Sequence, residues 1–272
     1  MLQENLNDYF EELSDSLTSI IKSRHICVNL PINIIIDDST CWSFIKNIVK
    51  VLNKSNISYS IIECNLKPNC ELKEPFINYT KYPFIYIRGE ESDKPNFVDS
   101  LVSLGLTDEH QTLVNDIDGS LSNVYLNPFY LPSVVEATLN IIKYIETRPT
   151  KGGTNNSNLR GKSVVVFNDS PYVGMPLVTG LMSLKANVIT INSSVLHGKV
   201  QSYIDQADYV IFGSGKLGIA NEYQYNNNQY LIDLSQKDTK GLEYDEDKLA
   251  VVKGFYTSTM ILSNYLKSLV DY

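Results

Sequence analysis

The second half of the chain alternates short apolar runs with segments of helical periodicity, and this alternation constrains the fold more than any other feature. Runs with the length of buried strands lie at 163–167, 187–191, 209–212 and 230–234, and segments with helical spacing lie at 174–184 and 198–206. Strands that are nearly all apolar and alternate with helices form a parallel sheet covered on both faces. The second half is therefore predicted to be a parallel α/β domain.

The first half shows a similar but less regular pattern, which predicts another α/β block. Helices are predicted at 6–22, 43–53, 95–104 and 131–145, strands at 32–36, 59–64 and 83–87, a loop at 149–158, and a closing helix at 256–270. The long apolar helix at 131–145 and the polar loop that follows it mark the boundary between the blocks. The predicted fold class is α/β with two domains.

The composition excludes several classes of protein. Hydrophobic residues make up 43% and charged residues 20%, which is typical of a globular chain. A net charge of −8 provides no basic surface to neutralise phosphates, so we expect neither nucleic-acid binding nor membrane binding. The four cysteines and three histidines lack metal-ligand spacing, so no metal site is expected. The acidic, amphipathic N-terminus is unlike a secretory or transit signal, which predicts an intracellular protein, cytoplasmic or mitochondrial.

The turn that leads from the strand at 163–167 into the helix at Gly174 is the candidate nucleotide site. A strand that runs straight into a helix leaves orphan amides and a positive dipole end, which suit a pyrophosphate. The GxGxxG fingerprint is absent, and Gly174 alone remains to let the strand and the helix approach closely. This pattern leaves two alternatives open, a bound nucleotide or an empty structural turn.

Several segments of the second half match a known family. Ser170, Val173, Gly174 and Pro176 agree with an Arg-Ser-x-x-Val-Gly-Arg-Pro segment, and the Gly-Lys-Leu-Gly sequence at 215–218 resembles a Gly-Lys-Pro-Gly loop. Both segments occur in the methylenetetrahydrofolate dehydrogenase/cyclohydrolase family, which the chain therefore resembles. The resemblance implies a Rossmann-type dinucleotide-binding domain preceded by a folate-type catalytic domain.

The resemblance also implies domain boundaries and an assembly. The folate-type α/β domain would comprise residues 1–132, with the C-terminal helix at 257–272 packing back on it as in the family. The Rossmann-type domain would comprise residues 133–256. A homodimer is expected because members of the family form one.

The resemblance assigns cofactor contacts to Asn168, Asp169, Ser170, Val173, Gly174, Asn192, Ser193 and Gly215. Asp169 replaces an Arg that helps to hold the 2′-phosphate of NADP, and its carboxylate would repel that phosphate, so NAD is the expected cofactor. Asn168 replaces a Gly, as in the monofunctional NAD-dependent branch. Asp169 is equally compatible with a structural role as a helix N-cap or first-turn carboxylate. The ribose would have to be held by Asn192 or Ser193, because no acidic residue follows the second strand.

The catalytic residues of the family are largely replaced in the first half. Phe44 takes the Tyr place of a Tyr-x-x-x-Lys motif and Ile48 the Lys place, and isoleucine cannot transfer protons. Arg88 stands where the family has a Gln that supports this Lys. Asp118 matches a carboxylate that grips the pterin ring, although a simple Asp-Gly turn with Gly119 explains it equally well.

Near the C-terminus, the Gly-rich Pro-Gly-Gly-Val-Gly-Pro-Met-Thr loop of the family is mostly lost. Gly254 is kept, Phe255 and Tyr256 replace smaller residues, and Thr259 remains as a candidate substrate contact. In the family this loop lies against folate and nicotinamide, in positions where side chains would collide. The two aromatic rings are therefore predicted to fill the cleft between the domains, packed near Ile48.

Two functions are compatible with these residues. The chain is predicted to be a degenerate, non-catalytic relative that binds no cofactor and acts as a structural or binding subunit of a larger protein assembly. The alternative is an NAD-dependent dehydrogenase that oxidises a folate substrate, methylenetetrahydrofolate, without cyclohydrolase activity. Loss of the Lys does not exclude this alternative, because hydride transfer needs no protein acid or base. The combined replacements favour the non-catalytic prediction.

Overall fold

A computed structural model describes residues 1–23, 30–37, 42–64, 82–87, 116–119, 130–147 and 159–269 of the 272-residue chain. The polypeptide divides into two compact units. The five-stranded unit comprises Met1–Glu11 and Val134–Thr257, and the three-stranded unit comprises Glu12–Ser133 and Ser258–Tyr272. Met1–Glu11 thus lie with the five-stranded unit, although the sequence had placed them in the first domain.

The three-stranded unit contains a short parallel sheet. After α1 (Leu2–Ser23), the chain forms β1 (Ile32–Asp37), α2 (Trp42–Lys54), β2 (Tyr59–Cys64) and β3 (Phe84–Ile87). The strand order is β2-β1-β3, with Ile34 opposite Ile61 and Ile85. Side chains of the isoleucine-rich β1 pack with the apolar face of α2 in one hydrophobic core, as expected for a β-branched strand beside an amphipathic helix.

The five-stranded unit is a doubly wound parallel sheet, which confirms the predicted fold class. Its elements are α3 (Ser133–Thr147), β4 (Ser163–Phe167), α4 (Gly174–Ser183), β5 (Asn187–Thr190), α5 (His197–Ile204), β6 (Tyr209–Phe212), a 3₁₀ turn (Ile219–Glu222), β7 (Tyr230–Asp233) and β8 (Leu249–Val251). The last helix, α6 (Gly254–Ser268), begins in this unit and continues into the three-stranded unit from Ser258 onward. All strands are parallel, in the order β5-β4-β6-β7-β8. The chain moves from β4 to β5 on one side and later to β6 on the other, so the topological switch point lies at the carboxyl end of β4.

Some sequence predictions concern residues that the structure does not describe. These include the helix at 95–104, the loop at 149–158 and Arg88. In the described part of the chain, no helix is long and apolar enough to cross a membrane.

Candidate functional site

Asn168 joins the two strands that flank the switch point. It is the first residue after β4, and its Nδ2 donates a hydrogen bond of 2.7 Å to the carbonyl oxygen of Gly213, just beyond β6. Its Oδ1 accepts a bond of 2.8 Å from the amide of Ser170. The side chain therefore holds together the two loops between which a Rossmann domain places its ligand.

Ser170 satisfies the amides at the start of α4. Its Oγ accepts from the amides of Val173 at 3.2 Å and Gly174 at 3.4 Å. Its carbonyl oxygen accepts from the amide of Met175 at 2.9 Å, and the next residue, Pro176, has no amide hydrogen. The expectation of orphan amides at this helix is therefore wrong, because the turn supplies its own acceptors. In this conformation the helix terminus offers no free main-chain donor of its first turn to a pyrophosphate.

Gly174 has the role that the sequence predicted for it. A Cβ atom built at Gly174 would lie 2.3 Å from the carbonyl oxygen of Asn168 and 2.7 Å from its Oδ1. Real Cβ atoms do not approach other atoms so closely. The residue must be glycine because β4 and α4 meet at this turn.

Asp169 and Met175 occupy the places of the two family arginines, and both are exposed. Ser170, and not Asp169, bonds the first amides of α4, so Asp169 is not the helix cap, and its other structural role, as a carboxylate of the first turn, stays a prediction. Met175 is 53% exposed. A carboxylate and a thioether thus stand where the family presents two cations, and neither attracts a phosphate.

The turn after β5 also uses its polar groups internally. Oδ1 of Asn192 accepts from the amide of Ser194 at 3.0 Å, and the carbonyl oxygen of Asn192 accepts from Val195. Asn192 and Ser193 are both exposed. The side-chain oxygen of Asn192 is therefore committed to an Asx turn.

Two buried aspartates that the sequence analysis missed organise the loops after β6 and β7. Asp238 accepts from Ser214 Oγ at 2.7 Å and from the amides of Ser214 at 2.9 Å and Gly215 at 3.3 Å, which fixes Gly215 at a φ of +70°. Asp233 accepts from the amides and hydroxyls of Ser235 and Thr239. The sequence does contain a signal for Asp233, because an Asp that ends an apolar strand and is followed by Ser and Thr is typical of a side chain that organises the next turn. Both carboxylates serve the loop structure.

Ile48 lies in the core of the three-stranded unit. Its side chain is 1% exposed and belongs to the hydrophobic cluster around β1, against which Phe44 also packs. Lys46 and Lys50, on either side, are exposed on α2. The position that the resemblance aligns with the proton-handling Lys is therefore both apolar and closed to solvent.

Asp118 has a clear structural role. Its Oδ1 accepts a bond of 2.6 Å from Ser133 Oγ, and its carbonyl oxygen accepts from the Ser133 amide at 3.0 Å. Gly119 has a φ of +72°, and a Cβ there would lie 2.6 Å from the carbonyl oxygens of Tyr130 and Leu131. The Asp-Gly turn is required by the fold at the start of α3. A pterin contact by Asp118 stays a prediction.

Tyr256 packs against the first turns of α1, whereas the sequence analysis had predicted a position near Ile48. Its ring is fully buried and stacks on Phe10 with ring centroids 4.1 Å apart. Its hydroxyl donates to Asn7 Oδ1 and accepts from Gln3 Nε2, each at 2.7 Å, and burial raises its pKa. The segment where the family has a Gly-rich loop is here the first turn of α6. Within the same helix, Thr259 is fully buried.

A doubly wound parallel sheet with a glycine-dependent turn at its switch point makes the five-stranded unit a Rossmann-type α/β domain. Residues 153–252 match the model of the tetrahydrofolate dehydrogenase/cyclohydrolase NAD(P)-binding domain. Residues 153–252 are thus similar to the NAD(P)-binding domain of the family whose motifs the sequence analysis found in this part of the chain.

Proteins of known sequence are similar to part of this chain. The bifunctional protein FolD of Clostridium botulinum strain Okra is 30% identical over 105 residues, which cover 39% of this chain and 33% of that protein. FolD of strain Kyoto is 30% identical over 110 residues, 40% of this chain and 34% of that protein. The match therefore spans about a third of the length of these relatives.

Solved structures resemble the whole chain. A silkworm (Bombyx mori) 5,10-methylenetetrahydrofolate dehydrogenase has a TM-score of 0.74 at 16% identity, covering 97% of this chain and 96% of that one. Campylobacter jejuni FolD has a TM-score of 0.72 at 18% identity, covering 99% and 97%. The NAD-dependent 5,10-methylenetetrahydrofolate dehydrogenase of Saccharomyces cerevisiae has a TM-score of 0.64 at 16% identity, covering 99% of this chain and 95% of that one. At these identities the likeness establishes the fold of both units.

Proposed function

We propose that this chain is a non-catalytic relative of methylenetetrahydrofolate dehydrogenase that acts as a structural or binding subunit of a protein assembly. The burial of Ile48 carries the proposal. At 1% exposure in a hydrophobic core, the side chain at this position neither transfers a proton nor reaches a substrate. Cyclohydrolase chemistry has no proton-handling group at the place where the family has one.

The nucleotide turn supports the same proposal. The first amides of α4 are bonded to Ser170, and Asp169 places a carboxylate near the helix terminus. A pyrophosphate would have to displace the bonds to Ser170 Oγ and approach a like charge. The residues present therefore do not fit a tightly held dinucleotide, and NADP, with its additional 2′-phosphate, fits less well than NAD.

An NAD-dependent dehydrogenase without cyclohydrolase activity is the second candidate. It is favoured by Asn168 and Gly174, which preserve the close strand–helix turn at the switch point. In this case NAD would supply the hydride-transfer chemistry, and the chain would supply orientation alone. The substrate would be a folate, held in part by Asp118.

Assays of the purified full-length chain distinguish the two functions. Dehydrogenase activity is measured with methylenetetrahydrofolate and either NAD or NADP, and cyclohydrolase activity as hydrolysis of methenyltetrahydrofolate above the uncatalysed rate. The proposal predicts that neither reaction is accelerated, with a bacterial FolD protein as the active control. Formation of NADH that depends on both substrate and chain would establish the second candidate, and accelerated hydrolysis would refute both.

A further inference from the structure

The loops after β6 and β7 are fixed to each other by hydrogen bonds. The amide of Gly218, in the first loop, donates to the carbonyl oxygen of Lys237, in the second loop, at 2.9 Å. Nδ2 of Asn221 donates to the carbonyl oxygen of Lys240 at 3.0 Å. The buried carboxylate of Asp238 adds its bonds to the first loop. The side chains that the two loops expose therefore form one ordered surface.

This surface presents three lysines and one leucine to solvent. We call these residues the lysine patch: Lys216, Leu217, Lys237 and Lys240. Leu217 is 68% exposed, and the residue after it bonds to the main chain of Lys237, so the backbone of Leu217 lies beside that of the second loop. Protein interfaces commonly place an apolar contact inside a polar rim. The patch has both parts, an apolar side chain and the cations around it.

The charges of the lysine patch are only partly balanced. Glu222 pairs with Lys216 at 2.9 Å. Among the residues that the structure describes, Lys237 and Lys240 form no salt bridge. The nearby carboxylate of Asp238 is fully buried and accepts bonds from the first loop. The patch is therefore positive on a chain of net charge −8, and a local field of this sign attracts an anionic partner.

We propose that the lysine patch binds an acidic segment of a partner protein, with Leu217 as its apolar anchor. A single exposed pair of a lysine and a carboxylate contributes little to affinity, so several pairs and the burial of the leucine have to act together. A segment with carboxylates on both sides of an apolar residue provides all of these contacts at once. The inference rests on the proposed role as a binding subunit and names the chemistry of the partner.

An acidic protein segment fits this patch better than a small anion or a nucleic acid. A small anion would be held by exposed lysines alone, whose charges are screened by water and salt, and it would leave Leu217 uncovered. A nucleic acid would bring its dense negative charge to a chain of net charge −8. Its bases stack on aromatic rings, and the apolar member of this patch is a leucine.

Fluorescence anisotropy of a labelled peptide with the full-length chain tests the proposal. The peptide consists of repeated Glu-Glu-Leu units and should bind saturably at low ionic strength, with a dissociation constant below about 1 mM that rises as salt is added. Lys237→Glu combined with Lys240→Glu should weaken binding at least about tenfold, because two attractions become repulsions. Lys143→Glu combined with Lys185→Glu is the matched control. It changes the net charge equally, at exposed positions outside the two loops, and should weaken binding less than about twofold.

Leu217→Ser tests the apolar anchor separately. It should weaken binding of the peptide by about three- to tenfold, because the leucine of the peptide loses its apolar contact. Met182→Ser, at another exposed apolar position of the same unit, should leave binding unchanged. All substituted side chains are exposed, and circular dichroism shows whether each variant is folded.

Three results would overturn the proposal. The first is absence of saturable peptide binding at low ionic strength, or equally tight binding of a peptide of Lys-Lys-Leu units. The second is unchanged binding by the folded double variant at Lys237 and Lys240. The third is binding of a DNA oligonucleotide in preference to the acidic peptide. Catalysis is measured in separate assays, so a failure of this proposal is distinguishable from a failure of the proposed function.

Discussion

At several single positions of the five-stranded unit, a side-chain amide forms hydrogen bonds with main-chain groups. Gln201 on α5 exchanges two bonds with the backbone of Gln224, at 2.9 and 3.0 Å. The buried Gln229 donates to the carbonyl oxygen of Ala207 at 2.9 Å. Together with Gln3 and Asn168, these residues satisfy main-chain groups that would be costly to leave unpaired. These four Asn and Gln side chains thus have a structural use.

Replacement of Gly174 tests the closeness of the strand–helix turn. Gly174→Ala should lower the free energy of unfolding by on the order of 2–4 kcal/mol, because the new Cβ overlaps the backbone of Asn168. Gly198→Ala is the matched control: Gly198 also lies in a helix, but a Cβ there meets nothing within 4 Å. It should stabilise by roughly 0.5–1 kcal/mol. Urea unfolding measures both, and equal effects would contradict the account of Gly174.

Replacement of Ile48 tests whether a lost catalytic residue can simply be restored. Ile48→Lys should destabilise the chain by on the order of 3 kcal/mol or more, since it buries a charge in the core, and should restore no cyclohydrolase activity. Ile48→Leu, a volume-conserving control, should cost less than about 1.5 kcal/mol. A stable, cyclohydrolase-active Ile48→Lys variant would show that position 48 faces a functional site.

At the scale of elements, apolar runs were predictable where turn residues bounded them clearly. β2 and β6 have the predicted bounds, and α4 differs from its prediction by one residue. β8 was missed, because three residues after an acidic loop carry too little periodicity. α6 begins at Gly254 and not at Tyr256, because tertiary contacts of Tyr256 with α1 order that turn.

The candidate site was less predictable than the elements. The need for glycine at position 174 follows from the strand–helix pattern itself. The capping of α4 by Ser170 depends on the conformation of the turn, which a sequence pattern does not specify. The contact between Gln3 and Val251 joins residues that are 248 positions apart, and no local signal reveals it.

Removal of Gln3 tests the role of α1 in the five-stranded unit. Gln3→Ala should lower the free energy of unfolding by about 1–3 kcal/mol, because it leaves Val251 and Tyr256 without a partner that they now have. Gln206→Ala is the control: it removes one exposed hydrogen bond, to the carbonyl oxygen of Ser202, and should change the free energy of unfolding by less than about 0.5 kcal/mol. Chemical unfolding and hydrogen exchange at Val251 measure the difference. A stability loss no larger than that of the control would contradict the account.

For the molecule as a whole, the fold is kept at low sequence identity. Solved structures at 16–18% identity share the fold over nearly the entire chain. An apolar pattern with a few required glycines is sufficient for this architecture, and many sequences provide it. Proton transfer, in contrast, requires particular side chains at particular positions, and an isoleucine side chain such as that of Ile48 cannot transfer a proton.

Buried tyrosines should make the whole molecule sensitive to alkaline pH. Burial raises the pKa of Tyr244 to about 12 and also raises the pKa of Tyr256 and of Tyr209, the last further increased by its hydrogen bond to Glu146. Because these folded-state values lie above the ordinary 10.0, the phenols contribute stability that is complete below about pH 10 and is lost as the pH rises above it. Urea unfolding between about pH 8 and pH 11 should show a falling free energy of unfolding. A flat profile would contradict the burial of these hydroxyls.

Calorimetric titration of the full-length chain with NAD and with NADP tests the central claim most directly. The self-capped turn predicts no saturable binding of either dinucleotide up to about 1 mM, the affinity that corresponds to roughly −4 kcal/mol. Asp169→Arg, which removes the repulsive carboxylate, should strengthen NADP binding, whereas Asp205→Arg, at an exposed site just after α5, should have no effect. Micromolar binding of NAD or NADP by the unmodified chain would contradict the account, since the amides of α4 would then have to serve the cofactor and not Ser170.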